Sequence, residues 1–334
     1  MKAETFCSSC GVGPSLPWNI CPECGQPAPV VFENLDEGIR RREYFAILRQ
    51  KAEGEALSYN HKVWKKMAYD RNPILPIFAD KLLAKEYVAK KIGQRYLQEI
   101  YSVAEHPRDI TWDDLPEEYV VKVNHASGGL IMISTGADRT EVLPERLQTN
   151  DWPIFKIHPD NADIGKIQNL TEQWLSQDFT WRPDSLPEWA YQGISRKVFV
   201  EELLHTEQGY SQAELQNFVF NGKLRLIRYC PANFKVTQRM SDFDPEWNLF
   251  PTTYTGVRNY QQMEIQPEKP NQLREIIDIC EILGAEVDAV RVDMYFDSGQ
   301  IRIGELTNYP NAGTGLWHPI EFNFEIAKWW KQEY

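Results

Sequence analysis

The chain has 334 residues, of which 42% are hydrophobic and 12% aromatic, and its formal net charge is -12. That is enough apolar material for a sizeable core and two or three modules, while the acidic balance argues against nucleic acid as the main partner. No apolar run is long enough to span a bilayer, and the opening MKAETFCSSC lacks the apolar core of a signal segment, which predicts a cytoplasmic chain.

In chain order, the first feature is a pair of CxxC knuckles, CSSC and CPEC, carrying Cys7, Cys10, Cys21 and Cys24. Two knuckles each supply two thiolates from a tight turn and can close a tetrahedral Zn²⁺ site with no open position, hence structural. A pair of disulfides is the alternative, which a cytosolic chain disfavours. Residues 1–30 therefore read as a small zinc ribbon, and GQPAPVVFENLDEG as a linker. Helices are predicted from Gly38 to Gln50 and over 58–69, the second stopped by Asn72-Pro73. DKLLAKEYVAKKIG predicts an amphipathic helix with Leu82, Leu83, Tyr87 and Val88 on one face and Gly93 as its stop.

Residues 119–134 read as two strands around a glycine loop, 162–178 as a helix, RPDSLPEW as a loop and KVFVEELL as a short buried strand. NFVF-NGK-LRLIRY predicts a hairpin turning at Asn221-Gly222. QLREIIDICEILG predicts a helix, AVRVDMYFDSGQIRIGELTN a second hairpin, and FNFEIAKWW a closing aromatic helix. Cys230 and Cys280 sit in apolar contexts and read as core. Strands and helices mix without regular βαβ alternation, so the class is α+β with antiparallel sheets.

In VVKVNHASGG the side chains alternate, placing Val120, Lys122 and Asn124 on one face and Val121 and Val123 on the other. Lys122 is then either an ordinary lysine of a half-exposed sheet or an ammonium aimed at phosphates. Ser127, Gly128 and Gly129 follow it, and a glycine loop lets backbone N–H groups approach an anion. Neither a P-loop nor a GxGxxG pattern is present. In the second hairpin, a three-residue turn Asp297-Ser298-Gly299 pairs Asp293 with Ile303 and Arg291 with Glu305. That register gathers Arg291, Asp293 and Glu305 on one face. The cluster reads either as a surface ion pair or as two carboxylates that bind Mg²⁺ beside phosphate oxygens. A two-residue turn would move Glu305 opposite Val292 and break the cluster.

The ordered segments SYNHKVWKKMAYDRNP, FADKLLAKEYVAKKIG, LPEEYVVKVNHASGG, EWAYQGISRKVFVEELL, FVFNGKLRLI and VRVDMYFDSGQIRIGELTNYPNAG resemble the TupA-like family of ATP-grasp proteins. The resemblance runs from about residue 57 to 315 and does not cover the cysteine segment. It implies an ATP-grasp fold, with 31–110 as a helical N-terminal region, 111–205 as the lid with its flap, and 206–334 as the metal-binding subdomain. It also implies ATP and Mg²⁺ as cofactors beside the structural Zn²⁺.

By the same resemblance, Lys81 and Lys122 bind the nucleotide phosphates and Ser127, Gly128 and Gly129 form the flap. Glu201, Glu202 and Leu203 form the adenine hinge, and Glu207 is the ribose-binding acid. Arg291 faces the transferring phosphate, and Asp293, Glu305 and Asn308 hold Mg²⁺, with Thr307 nearby. Lys122 and Arg291 are thus the expected catalytic residues. Two departures stand out: Gln216 where relatives carry a lysine, and a metal motif reading Glu305-Leu306-Thr307-Asn308, with the asparagine one step late.

The activity implied is a carboxylate–amine ligase working through an acyl phosphate, in cell-envelope or capsular polysaccharide modification. Its partners would be a small-molecule carboxylate, an amine or sugar acceptor, and a carrier or partner protein docking on the ribbon. A non-catalytic nucleotide-binding scaffold is the alternative of a different class, and a glycosyltransferase label the third. The letters of a sugar-nucleotide DxD occur at Asp242-Phe243-Asp244 but read as solvated loop. His61, His106, His125, His158, His205 and His318 show no metal spacing, and Trp317 and His318 beside AGTG are candidates for an acceptor pocket.

Overall fold

The computed structural model describes residues 5–6, 30–31, 57–148, 151–180, 188–204, 213–232, 234–256, 259–297 and 300–334. Strand β1 (Thr5–Phe6) pairs antiparallel with β2 (Val30–Val31). Cys7, Cys10, Cys21 and Cys24, and the helix predicted from Gly38 to Gln50, lie outside the described residues.

Ser58 caps helix α1 (Tyr59–Tyr69), its hydroxyl accepting from the His61 N–H at 3.3 Å, which satisfies a donor the helix itself cannot. Helix α2 (Ile74–Ala79) follows Pro73. Asp80 then caps α3 (Lys81–Ile92), accepting from Leu82 N at 2.9 Å, and Gly93 stops the helix at a φ of +106° that side chains resist. The buried face of α3 differs from the expected one. Ala84, Lys85 and Val88 are buried, whereas Leu83 is 41% exposed. The helix turns Lys85 inward because it has a carboxylate partner there, Glu201, described below.

Strands β3 (Ile100–Ala104), β4 (Tyr119–Val123), β5 (Leu130–Ile133), β6 (Ile154–Ile157) and β7 (Val198–Glu202) form a sheet in the order β3-β7-β4-β5-β6. All neighbours are antiparallel except β5 and β6. Helix α4 (Ile164–Ser176) covers one face, capped by Asp163. Its Ile167, Leu170 and Trp174 pack on Val121, Val123, Val198 and Val200, all fully buried. Alternation therefore sends Lys122 and Glu201 to the opposite face.

The second sheet comprises β8 (Ala213–Phe220), β9 (Lys223–Cys230), β10 (Arg239–Phe243), β11 (Leu249–Phe250), β12 (Thr253–Thr255), β13 (Asn259–Gln262), β14 (Ala289–Asp297), β15 (Gln300–Thr307) and β16 (Leu316–His318). Among the described residues its order is β15-β14-β8-β9-β10-β13-β12-β16, with β11 on β10. A short helix α5 (Phe234–Thr237) precedes β10, and α6 (Leu273–Leu283) packs Ile276, Ile279 and Leu283 into the same core as Val219 and Leu215. The β8–β9 turn has both Asn221 and Gly222 at positive φ, +49° and +73°, the geometry its two residues favour. Helix α7 (Phe322–Lys328) closes the chain on Trp330, whose ring stacks on Phe220. Cys230 and Cys280 are both fully buried, as their contexts predict.

Asp242 overturns the loop reading. It lies on β10 directly opposite Arg228 on β9, and its carboxylate accepts from Arg228 Nε at 2.7 Å and Nη2 at 3.1 Å. Trp317 Nε1 and the Thr252 hydroxyl also donate to it, at 2.7 and 3.1 Å. The guanidinium sits 3.8 Å from the centre of the Tyr254 ring and is 1% exposed, a cation–π contact in a desolvated site. Trp317 is thus locked in the core rather than lining a pocket, while His318 is exposed and faces Thr255.

The β14–β15 hairpin also departs from the expected register. Asp297 pairs with Gln300 and Met294 with Ile303, the phase of a two-residue connection. A bulge between Asp293 and Met294 then restores the shared face, so Asp293 stands opposite Glu305 and Arg291 opposite Thr307. Gly304 is the extra residue. A Cβ there would lie 2.9 Å from the Tyr295 ring, so the bulge needs glycine.

Removing Asp242 strands a buried guanidinium. Asp242→Ala should cost about 3–5 kcal/mol of stability in urea unfolding, and combining Asp242→Leu with Arg228→Met should recover part of that loss.

Candidate active site

On β14 and β15 the bulge aligns four polar side chains. Arg291 donates from Nε to Asp293 Oδ1 at 2.7 Å and from Nη2 to Oδ2 at 2.6 Å, a two-pronged pair. Arg291 Nη2 also reaches the Thr307 hydroxyl at 3.3 Å, which donates to Asp293 Oδ2 at 3.4 Å. Gln216 on β8 stands opposite Asp293 and donates to Glu214 at 2.9 Å. Burial lifts the Asp293 carboxyl to about 7. The Arg291 guanidinium pulls it down, but Glu214 and Glu305 crowd it from the same face. Burial disfavours the Arg291 cation, yet the carboxylates prevail and hold its pKa above the ordinary value.

The first sheet presents the complementary charge. Lys122 bonds Glu201 Oε1, and Lys85 sits 2.9 Å from Glu201 Oε2, so one carboxylate at 1% exposure bridges two ammoniums. Lys85 also donates to Gln98 at 2.7 Å. Burial opposes charge on both partners, but Lys122 and Lys85 together hold the Glu201 carboxyl below its usual range. Lys122 is likewise raised despite burial, by Glu201 and then Tyr295. Lys81 is pushed down by burial, with Lys122 adding to the effect while Glu305 and Glu201 oppose it. These couplings join residues of both sheets, so the lysines and the carboxylates lie within electrostatic reach of one another.

Lys85 is a site residue that the sequence reading missed. Its signal was available: it follows Lys81 by four residues and so shares its helix face. An open cleft of about 500 Å³ runs along the outer flank of α3, where Leu82, Leu83 and Ile194 line it. Lys85 reaches it, whereas Lys81, Lys122 and Glu201 do not.

The flap is folded against residue 152. Gly128 and Gly129 have φ of +84° and +62°, and a Cβ on Gly128 would lie 2.5 Å from the Trp152 carbonyl oxygen. The Gly129 N–H donates to that carbonyl at 3.1 Å, so it is not directed at an anion in this conformation, and Ser127 is exposed. Lys81 holds the Ala126 carbonyl through Nζ and the Asn124 carbonyl through its own N–H at 3.0 Å.

At the expected hinge, Glu202 ends β7 and Leu203 follows it. The Glu202 N–H donates to Glu99 O at 2.9 Å, and the Glu201 side chain is engaged by the lysines rather than left for a base. Asn308 follows β15, is buried, and donates to Leu75 O at 2.8 Å, while its Oδ1 has no partner. Glu207 lies outside the described residues.

Among the described residues no group of three or more His, Cys, Asp and Glu side chains converges on one point. Asp293 and Glu305 nonetheless fit a hard cation. They are cross-strand neighbours, Asp293 is crowded by negative charge, and a nucleotide's phosphates would complete the shell.

The sequence matches the model of the TupA-like ATPgrasp family over residues 61–327. The chain belongs to the TupA-like ATP-grasp family. Its Asp293, Glu305, Lys81 and Lys122 all fall inside the matched span. No curated protein matches the sequence. Among solved structures, it is similar to the ATP-grasp ligase PsnB complexed with precursor peptide PsnA2 and AMPPNP, at 10% identity and TM-score 0.33, over 82% of this chain and 61% of that one. The TupA-like chain thus spans less than two thirds of the PsnB chain. It is also similar to D-alanine–D-alanine ligase from Bacillus anthracis, at 13% identity and TM-score 0.38, over 87% of this chain and 78% of that one. A third is the ADP complex of purK, N5-carboxyaminoimidazole ribonucleotide synthetase, at 12% identity and TM-score 0.35, over 70% and 45%. Among the described residues no helix is long and apolar enough to cross a membrane.

A cation that binds between Asp293 and Glu305 stabilises the folded chain by mass action, by about 2.7 kcal/mol at a hundred times its Kd. Mg²⁺ together with a non-hydrolysable nucleotide should raise the melting temperature of the wild type, and Asp293→Asn should abolish the Mg²⁺-dependent part of that rise.

Proposed function

We propose that this chain is an ATP- and Mg²⁺-dependent carboxylate–amine ligase acting in cell-envelope or capsular polysaccharide modification. The observation that carries the reading is the opposition of two faces. Lys81, Lys85 and Lys122 stand on one side, and Arg291 with the Asp293–Glu305 pair on the other.

In the proposed reaction a substrate carboxylate oxygen attacks the γ-phosphorus of ATP, the bond to the bridging oxygen breaks, and ADP leaves. The amine nitrogen of an acceptor then attacks the acyl phosphate carbonyl, expels phosphate and loses a proton. No protein nucleophile is required. Lys81 and Lys122 would hold the phosphates and Arg291 the transferring group, with charge offset as the main contribution. Mg²⁺ between Asp293 and Glu305 would neutralise phosphate oxygens. The residues 127–129 loop would exclude water, which hydrolyses acyl phosphates.

Further parts of the proposal are Zn²⁺ on Cys7, Cys10, Cys21 and Cys24, residues 1–30 as a ribbon that docks a carrier or partner protein, and a cytoplasmic location. Glu202, Leu203 and Glu207 as nucleotide contacts, and the domain division at 30, 110 and 205, belong with them. Metal analysis should find one zinc per chain, lost in Cys7→Ser. A scaffold that binds nucleotide without turnover is the second reading, favoured by Gln216 opposite Asp293 and by the Asn308 amide on Leu75.

ADP release from ATP and Mg²⁺, screened over pools of amino acids and sugar acids, decides between them. Substrate-dependent ADP should vanish in Asp293→Asn, with folding retained by circular dichroism. Arg291→Met should lose on the order of 10²–10³ in kcat. Nucleotide binding with no ADP from any pool would establish the scaffold instead.

A further inference from the structure

Beside the flap lies a second cleft of about 290 Å³, lined by His125, Asp178, Thr180, Tyr191 and Arg196 among others. Its walls are the turn after β4, the segment after α4, and the segment leading into β7. None of these polar groups has a role in the phosphate and metal site described above.

His125 is 3% exposed, and neither ring nitrogen makes a well-formed hydrogen bond. Its ring packs edge-on against Trp152, with centroids 5.6 Å apart. Burial, then Arg196 and Lys81, lower its pKa to about 4, although backbone at Gln177 and Trp174 pulls the other way. It is therefore a neutral imidazole with one donor and one acceptor to offer. With only loosely placed backbone at Gln177 and Trp174 beside it, the ring would gain a well-formed partner from a ligand oxygen.

Arg196 gives one N–H to Leu175 O at 2.9 Å, and among the described residues its other donors have no partner. Asp178 Oδ1 accepts from Thr180 N and Oγ1 at 2.8 and 2.7 Å, which fixes the carboxylate in place. His125, Asp178 and Arg196 all line this one cleft. One wall thus offers a cation and a neutral donor, and another a carboxylate.

We propose that this cleft is the subsite for a free α-amino acid, with its carboxylate on Arg196 and His125 and its ammonium on Asp178. The proposal rests on the ligase reading and deepens it. A carboxylate clamped by Arg196 is not the one that is phosphorylated, so the amino acid enters as the amine donor. His125 directly precedes Ala126, whose carbonyl Lys81 holds, which places this subsite next to the nucleotide lysine.

Isothermal titration calorimetry on the full chain tests this, with each common free amino acid as probe. The N-acetyl and carboxamide derivatives of the tightest binder follow, and AMP-PNP with Mg²⁺ is titrated separately. At least one free amino acid should bind, with both derivatives about tenfold or more weaker, the loss expected for one charge-assisted contact. Arg196→Met should weaken the free acid by a similar factor and barely affect the carboxamide, and Arg196→Lys should restore part of the loss. Asp178→Asn should weaken the free acid and barely affect the N-acetyl form. AMP-PNP affinity should be unchanged in all three variants.

No binding by any free amino acid overturns the proposal, as does binding that both variants leave intact. Equal binding of the N-acetyl derivative overturns it in favour of a simple anion site. Amino-acid binding with the expected variant pattern, in a chain that binds no AMP-PNP, would uphold the subsite and sink the nucleotide reading.

Discussion

Compensation of buried charge is the constraint on which the rest of this structure depends. Glu201 can be 1% exposed only because Lys122 and Lys85 both reach it. Asp293 tolerates burial only beside the two-pronged Arg291. An unpaired ion in either place would cost several kcal/mol. The two sheets can bring charged faces together because each face carries an internal counter-ion. On the proposed reading, the imbalance that remains, lysines on one side and crowded carboxylates on the other, is what a metal–nucleotide complex would resolve.

Arg228 and Asp242 obey the same rule with a different outcome. That pair lies on neighbouring strands of the same sheet, but aromatic rings and Trp317 Nε1 close around it. Nothing is left over for a ligand. Chemically similar pairs thus divide into a structural one enclosed by rings and one where Asp293 is held against further negative charge.

Much of this was legible in the sequence because its causes are local. The Asn221-Gly222 turn, the Gly93 stop and the alternation that separates Lys122 from Val121 need only neighbouring residues. The shared face of Arg291, Asp293 and Glu305 was also foreseen, though by the wrong register. The turn was read one residue too long, and the structure reaches the same face through the Gly304 bulge. A bulge is decided by what crosses the strand, here the Tyr295 ring, and no local pattern announces it. Asp242 was misread because its partners Arg228 and Trp317 are distant in sequence. Leu83 was misread because apolar character was weighed without the inward pull of Glu201 on Lys85.

Lys81 has a consequence of a different kind. Its ammonium holds the carbonyl of Ala126 at the root of the flap, and its backbone N–H holds Asn124 just before it. On the proposed ligase reading, that one side chain would be shared between the loop and an arriving phosphate. An ammonium that turned to the anion would release an anchor at the loop root, and occupancy of the site and posture of the loop would then be two readings of a single lysine rotamer.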